Sequence, residues 1–226
     1  MIKRLFDLIV ASASLIALSP AFLIVGLLIK ADSSGPILYG GNRIGKDGVP
    51  FKMYKFRTMV VNADQIGVAL TRSEDPRVTR LGRILRKWKI DEFPQLLNIL
   101  RGEMSVVGPR PECPDYVRYY TPEQRQVLRV KPGMTGLTQV RYRHEETMLS
   151  HCMDLEADYI EKLMPQKLAL DLEYLKNQSL LLDIKLIVQT FLCLFQADDL
   201  SYGEELANEI GARRGRASYE EHGPYR

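Results

Sequence analysis

Cysteine and histidine are scarce: the 226-residue chain holds three of each. Cys113, Cys152 and Cys193 form no CxxC pair, which excludes a disulfide framework and a cysteine-based zinc site. They read as reduced thiols of a cytosol-facing protein. His144, His151 and His222 have no metal-ligand spacing beside an acid, so they read as structural or surface residues. Net charge is also small, +3 at neutral pH, and gives no reason to expect a nucleic acid as partner. Internal repeats are lacking too. "MDLEADY" and "LDLEYL" echo each other, but two short echoes do not make a repeat protein. The length suits one compact domain with an attached element.

Charge is wholly absent from Leu8 to Ile29, "LIVASASLIALSPAFLIVGLLI", a run long enough to span a bilayer. A signal peptide explains the first half, but more apolar sequence follows "SPA" where a mature domain should begin. A straight span is weakened by Ser19-Pro20 at the middle, because proline removes a helical hydrogen bond. Basic residues also flank both ends, Lys3 and Arg4 before, Lys30 and Arg43 after, against the usual asymmetry. A re-entrant helix-break-helix is the third arrangement. Its halves would be roughly 16 Å and 14 Å long, too short to cross a core of about 30 Å. The residues leave the hairpin and a kinked span open.

Beyond the apolar run, "PILYGGNRIGKDGVPFKMYKFRTM" predicts a β-hairpin turning at Asp47-Gly48. Within it "GGNRIGKD" nearly matches a phosphate-binding loop. Asp47 stands where a hydroxyl is needed, and no strand-to-helix context follows, so the hairpin turn is preferred. The polar stretch from Met59 to Pro76 predicts a loop with a short helix. "DPRVTRLGRILRKWK" predicts a basic amphipathic helix, with Leu81, Ile84, Leu85 and Trp88 at helical spacing. A solvated charged face is its ordinary fate, but an adjacent membrane element favours a lipid-facing role. "FPQLLNILRG" predicts a short helix from Pro94 to a stop at Gly102. "VKPGMTGLTQV" predicts a turn and then a strand-like run. Residues 147–180 look helical. "LLLDIKLIVQTFLCLF" is interrupted by Asp183, Lys185 and Gln189, and predicts a buried or interfacial helix. Disorder is expected in the polar tail from Asp198.

Asp91 and Glu92 lie side by side in "KIDEFPQ". Acids before an apolar helix are ordinary helix-start residues. Arg86 before them and Arg110, bracketed by prolines in "GPRP", make a second reading available. Arginines beside a helix start form an anion site, with phosphate the usual anion. An aspartate among such cations stays ionised and can act as a nucleophile. A divalent ion would relieve its repulsion from a phosphate.

Several segments, in order, resemble one family: "KRLFD", the apolar run with central "SP", "NRIGKDGVPFKMYKFRTM", "DPRVTRLGRILRKWKIDEFPQLLNIL", "GEMSVVGPRP", "KPGMTGLTQV" and "LDLEYLKNQSLLLDIKLI". From about Lys3 to Leu194 the chain is similar to the bacterial sugar transferases called monotopic phosphoglycosyl transferases. The resemblance implies an α+β fold with a re-entrant membrane helix-break-helix at Ser19-Pro20, a small β-hairpin and several amphipathic interfacial helices. It implies an anchor over 1–32, a cytosolic catalytic domain over 33–197 at the bacterial inner membrane, and a flexible tail over 198–226.

The resemblance also implies a reaction. A phospho-sugar moves from a UDP-sugar to polyprenol (undecaprenyl) phosphate, yielding UMP and beginning a surface glycan. Magnesium is required, with Asp91 as a ligand. Asp91 is the implied nucleophile and Glu92 its partner. Arg86, Arg110 and Arg143 fit contacts to donor phosphate, and a homodimer is compatible. Two departures bear on the sugar. Members using acetamido sugars often read "QVNGRN" where this chain reads "QVRYRHE", and residues 147–170 form a longer segment than short members carry. A membrane-surface scaffold and a nucleotide-sugar hydrolase are the alternatives.

Overall fold

The computed structural model describes residues 2–66, 70–72, 74–143, 145–150 and 154–195. Cys152, the three histidines and the polar tail from Asp198 lie outside the described residues. Helix and sheet are mixed, with two small two-stranded sheets among the described residues.

The uncharged run lies within one helix, α1 (Ile2–Asp32), 31 residues and so roughly 46 Å long. The expected break at Ser19-Pro20 is therefore absent: the helix continues through Pro20. Proline has no N–H for the carbonyl four residues back, that of Ile16. Ser19 Oγ donates to that same Ile16 carbonyl at 2.9 Å, so the acceptor freed by proline is satisfied locally.

Both ends of α1 are fastened to the rest of the protein. Near its start, Lys3 Nζ donates to the buried Asp183 carboxylate. Arg4 donates to the carbonyls of Ile99 and Leu100 at 2.6 and 3.1 Å. Buried Asp7 accepts from Ser105 Oγ and from the Val106 N–H at 3.0 Å. Near its end, Arg57 donates to the carbonyls of Ile29 and Ser33 at 3.3 and 2.7 Å. Between these clasps Ile16, Leu23, Ile24 and Leu27 remain exposed.

β1 (Leu38–Ile44) and β2 (Pro50–Phe56) pair antiparallel, from Leu38 opposite Phe56 to Ile44 opposite Pro50. Asp47 and Gly48 take positive φ in the turn, so the decoy phosphate loop is strand and hairpin turn. α2 (Arg80–Lys87) starts at Thr79, whose hydroxyl accepts from Gly82 N at 3.0 Å. It buries Leu85 and leaves Ile84, Arg80, Arg83 and Lys87 exposed, with exposed Trp88 just beyond it. α3 (Gln95–Arg101) stops at Gly102 in the left-handed region, φ 84°, as the sequence predicts.

β3 (Ser105–Val107) pairs parallel with β4 (Gly133–Thr135), the short α4 (Pro114–Val117) lying between them in the chain. The approach is close: a Cβ on Gly133 would lie 2.0 Å from Gly108 N. The apolar run after β4 is not a strand. It is α5 (Leu137–Arg141), whose Thr138 is buried and donates to Asp171 Oδ1 at 2.5 Å. Packing outweighs the β-branched residues there. α6 (Glu145–Ser150), α7 (Leu155–Asp158), a π-helical turn (Tyr159–Leu163) and α8 (Met164–Asn177) fill most of the segment predicted helical. α9 (Leu180–Phe195) buries Asp183 and Leu186 and exposes Leu181, Ile184, Val188 and Phe191.

Candidate active site

α2 closes at Trp88, and Lys89 then takes φ 54°, a left-handed conformation uncommon for a residue with a Cβ. That reversal starts a separate 3-10 turn, Ile90–Glu92, ahead of α3. Asp91 and Glu92 are 4% and 9% exposed. Helix-start carboxylates would be solvated and would cap N–H groups. Here the N-cap of α3 is Pro94, without a side-chain hydrogen bond. The pair is thus not an ordinary helix opening.

The two carboxylates differ in partners. Glu92 Oε1 accepts from Lys55 Nζ at 2.7 Å and Arg110 Nη2 at 2.9 Å. Asp91 Oδ2 lies 4.0 Å from Lys55 Nζ, and Asp91 Oδ1 is buried with no hydrogen-bond partner among the described residues. Burial pushes the Asp91 carboxyl above its ordinary value, against Lys55, which pulls it down, and with Glu92, which adds to the rise. Burial also acts to raise Glu92, but Arg110 and Lys55 overcome it and hold Glu92 well below the usual glutamate value. The cations around the pair serve Glu92 first. Asp91 is the less stabilised anion, with one oxygen open.

Arg110 is set by the parallel sheet. Gly108 N donates to the Thr135 carbonyl at 2.9 Å, and Gly133 N to the Pro109 carbonyl at 2.8 Å. This fixes the proline-bracketed loop beside Glu92. The other two candidate arginines have different contacts. Arg86 donates to Thr58 Oγ1 at 2.9 Å and to Glu146 Oε1 at 3.2 Å. Arg143 donates to the Cys193 carbonyl near the end of α9. All three arginines, Lys55 and the acid pair line one cleft of about 1740 Å³. Val10, Ser14, Ala17 and Leu18 of α1 line it as well, whereas Ser19 and Pro20 do not.

Comparison with known proteins decides the family. The model for the bacterial sugar transferase family matches residues 1–197. This chain belongs to that family. The exopolysaccharide production protein ExoY of Sinorhizobium fredii is 40% identical over 203 residues, covering 83% of each chain. A UDP-glucose:undecaprenyl-phosphate glucose-1-phosphate transferase of Caulobacter vibrioides is 40% identical over 200 residues, covering 87% of this chain and 71% of the relative. A UDP-N-acetylgalactosamine-undecaprenyl-phosphate N-acetylgalactosaminephosphotransferase of Aeromonas hydrophila is 37% identical, over 84% of this chain and 42% of the relative. The protein is a sugar transferase, which removes the scaffold alternative.

Reading the sequence missed Lys55 in this transferase. The signal was available in β2: Phe51 and Met53 are buried at alternating positions, and Lys55 is the next residue on that face. A lysine at a core-facing position needs a buried acid. Also missed were Glu112, Glu145, Tyr159 and Lys167, which line the same cleft. They come from four segments, and no local pattern joins them.

Proposed function

We propose that this sugar transferase moves a phospho-sugar from a UDP-sugar to polyprenol (undecaprenyl) phosphate, through a covalent intermediate on Asp91. The carrying observation is the unpartnered Asp91 Oδ1, buried in the cleft beside a glutamate already held by two cations. In the first step an Asp91 oxygen attacks the β-phosphorus. The bond from that phosphorus to the bridging oxygen breaks, and UMP leaves with the electron pair. In the second step an oxygen of polyprenol phosphate attacks the same phosphorus, releasing the aspartate and giving polyprenol diphosphate-sugar.

Glu92 keeps Lys55 and Arg110 placed so that their remaining N–H groups face the donor's phosphates. Arg86 and Arg143, on the same cleft, are proposed phosphate contacts. The residues fit magnesium: Asp91 Oδ1 is a free hard oxygen donor, and one carboxylate with phosphate and water oxygens is a usual set for that ion. When bound there, magnesium would screen the carboxylate from the phosphate and polarise the phosphoryl oxygens.

Both ends of α1 are held by one protein body, which supports a monotopic placement on the cytosolic face of the inner membrane. The relatives' names support undecaprenyl phosphate as acceptor and surface-glycan synthesis as the setting. The test is UMP release from a UDP-sugar panel with undecaprenyl phosphate and magnesium. Absence of UMP with every donor would overturn the reading. Repeated turnover without the lipid, beyond one UMP per enzyme, would instead indicate a hydrolase.

A further inference from the structure

Away from the dyad, the cleft has a second wall of charged and polar groups. Lys167 Nζ donates to both oxygens of Glu145, at 2.8 and 3.0 Å, and to Tyr159 OH at 3.1 Å. Tyr159 OH donates in turn to Glu112 Oε2, and Glu112 Oε1 accepts the Cys113 N–H at 2.8 Å. Tyr159 is 1% exposed, and the Lys167 side chain 8%. Glu145 keeps 21% of its side chain exposed, and Glu112 is half-buried. The two acids can therefore meet a ligand, and the phenol and ammonium stand behind them.

The hydrogen-bonding capacity that remains has one sign. The single Tyr159 proton is used on Glu112, and the three Lys167 donors are matched by Glu145 and Tyr159. An ionised carboxylate offers about four acceptor positions, so Glu112 and Glu145 each retain about two. Gln139 Oε1, also on the cleft, is buried without a partner among the described residues. This wall asks for donors. Hydroxyl groups supply them, whereas an ionised carboxylate on the ligand would bring only acceptors and like charge.

Protonation states are held in this pattern. Burial pushes the Tyr159 phenol well up, with Glu112 and Glu145 adding to the rise, so it stays a donor. Burial acts to raise Glu145 as well, but Lys167 overrides it and keeps that carboxyl below its usual value. The π-helical turn Tyr159–Leu163 sets Tyr159 into this wall, and such turns recur at functional sites.

We infer that Glu112 and Glu145 read hydroxyl groups on the donor's sugar, with Tyr159 and Lys167 as positioning residues, and that the enzyme accepts neutral polyhydroxylated sugars and rejects acidic ones. The inference rests on the proposed UDP-sugar reaction and names the sugar class. It assigns Glu145, Tyr159 and Lys167, which follow Arg143 in the chain, to the sugar pocket.

The test uses the full chain in detergent. Equilibrium binding of UDP, UDP-glucose and UDP-glucuronate is measured for wild type, Glu145→Gln, Glu112→Gln and Tyr159→Phe, with UMP release followed for the same donors. Wild type is expected to bind UDP-glucose at least about tenfold more tightly than UDP-glucuronate. Either glutamine variant should cut that preference about tenfold while leaving UDP affinity unchanged, which also reports an intact fold. Tyr159→Phe should raise KM for UDP-glucose several-fold with kcat nearly unchanged. Equal use of both donors by wild type, or equal weakening of UDP and UDP-glucose in the variants, would overturn the inference. A binding preference without UMP from any donor would overturn the transferase reaction and leave the sugar site standing.

Discussion

In the cleft, charged side chains are buried; along α1, apolar ones are exposed. Asp91 and Glu92 keep 4% and 9% of their surface, while Ile16 and Leu23 keep 76% and 67%. Each region inverts the usual distribution, in opposite senses. The cleft tolerates its charges because Lys55 and Arg110 meet Glu92, and Lys167 meets Glu145. Asp91 Oδ1, by contrast, is buried with no hydrogen-bond partner among the described residues. No described residue covers the outer face of α1, and α9 repeats that pattern with Leu181, Val188 and Phe191. An apolar face of this extent is compatible with lipid contact. The difference gives one small protein two surfaces of opposite character, a charged cleft and an exposed apolar helix face.

The largest effect should come from the open carboxylate. Asp91→Asn removes the proposed nucleophile, and UMP release should fall at least about 10³-fold. Wild type given a UDP-sugar without acceptor should release about one UMP per enzyme, and the variant none. A variant that still turned over at a tenth of the wild-type rate would make Asp91 a bystander.

Glu92→Gln tests the paired half. It leaves Lys55 and Arg110 facing a neutral amide. Breaking a buried pair costs about 3–5 kcal/mol, and the lower end applies because Lys55 and Arg110 keep 24% and 30% of their side chains exposed. Tm should drop by about 5–10 °C. The pH dependence has a definite sign. Glu92 is depressed in the folded state, so its contribution is complete above the ordinary glutamate value and is lost as pH falls through the depressed one. The gap between wild type and variant should therefore close only in strong acid.

How much of this was readable in advance follows sequence distance. The hairpin turn at Asp47-Gly48, the stop at Gly102 and the acid pair with its proline-bracketed Arg110 all have local signatures. Lys55 reaches Glu92 across 37 residues of chain, and Arg86 turns to Glu146 across 60. The wall of Glu112, Glu145, Tyr159 and Lys167 is assembled by packing alone. The strand-like "LTQV" became helix because Thr138 is taken by Asp171 of α8, a contact no local propensity encodes.

The exposed face is tested by Leu27→Ser. Leu27 is 63% exposed, so Tm in detergent should change little. If that face meets hydrocarbon, losing the side chain should weaken membrane partition by about 1.5–3 kcal/mol, read by co-flotation with lipid vesicles. Unchanged partition would mean that Leu27 meets no lipid.

A smaller effect, opposite in direction to that of Glu92, is expected again at Asp91. Its carboxyl is raised in the folded state, so protonation favours folding, and that gain disappears as pH rises through the raised value. Above that raised value the buried anion is a liability. There Asp91→Asn should raise Tm by about 2–4 °C. The advantage should vanish at low pH, where wild-type Asp91 is protonated. An inactive variant that is also less stable above that value would mean that the burial cost is met by a contact to Oδ1.

The smallest effect distinguishes a continuous α1 from a broken one. If the helix runs through Pro20, the Ser19 hydroxyl satisfies the Ile16 carbonyl. Ser19→Ala should then cost about 0.5–1.5 kcal/mol in detergent, and Pro20→Ala should offset it by restoring a backbone donor. The double variant would therefore be close to wild type. At a true re-entrant break the outcome reverses: Pro20→Ala would straighten a segment the fold needs bent, adding to the loss from Ser19→Ala. Tm of the two single variants and the double therefore decides how α1 keeps both ends on one body.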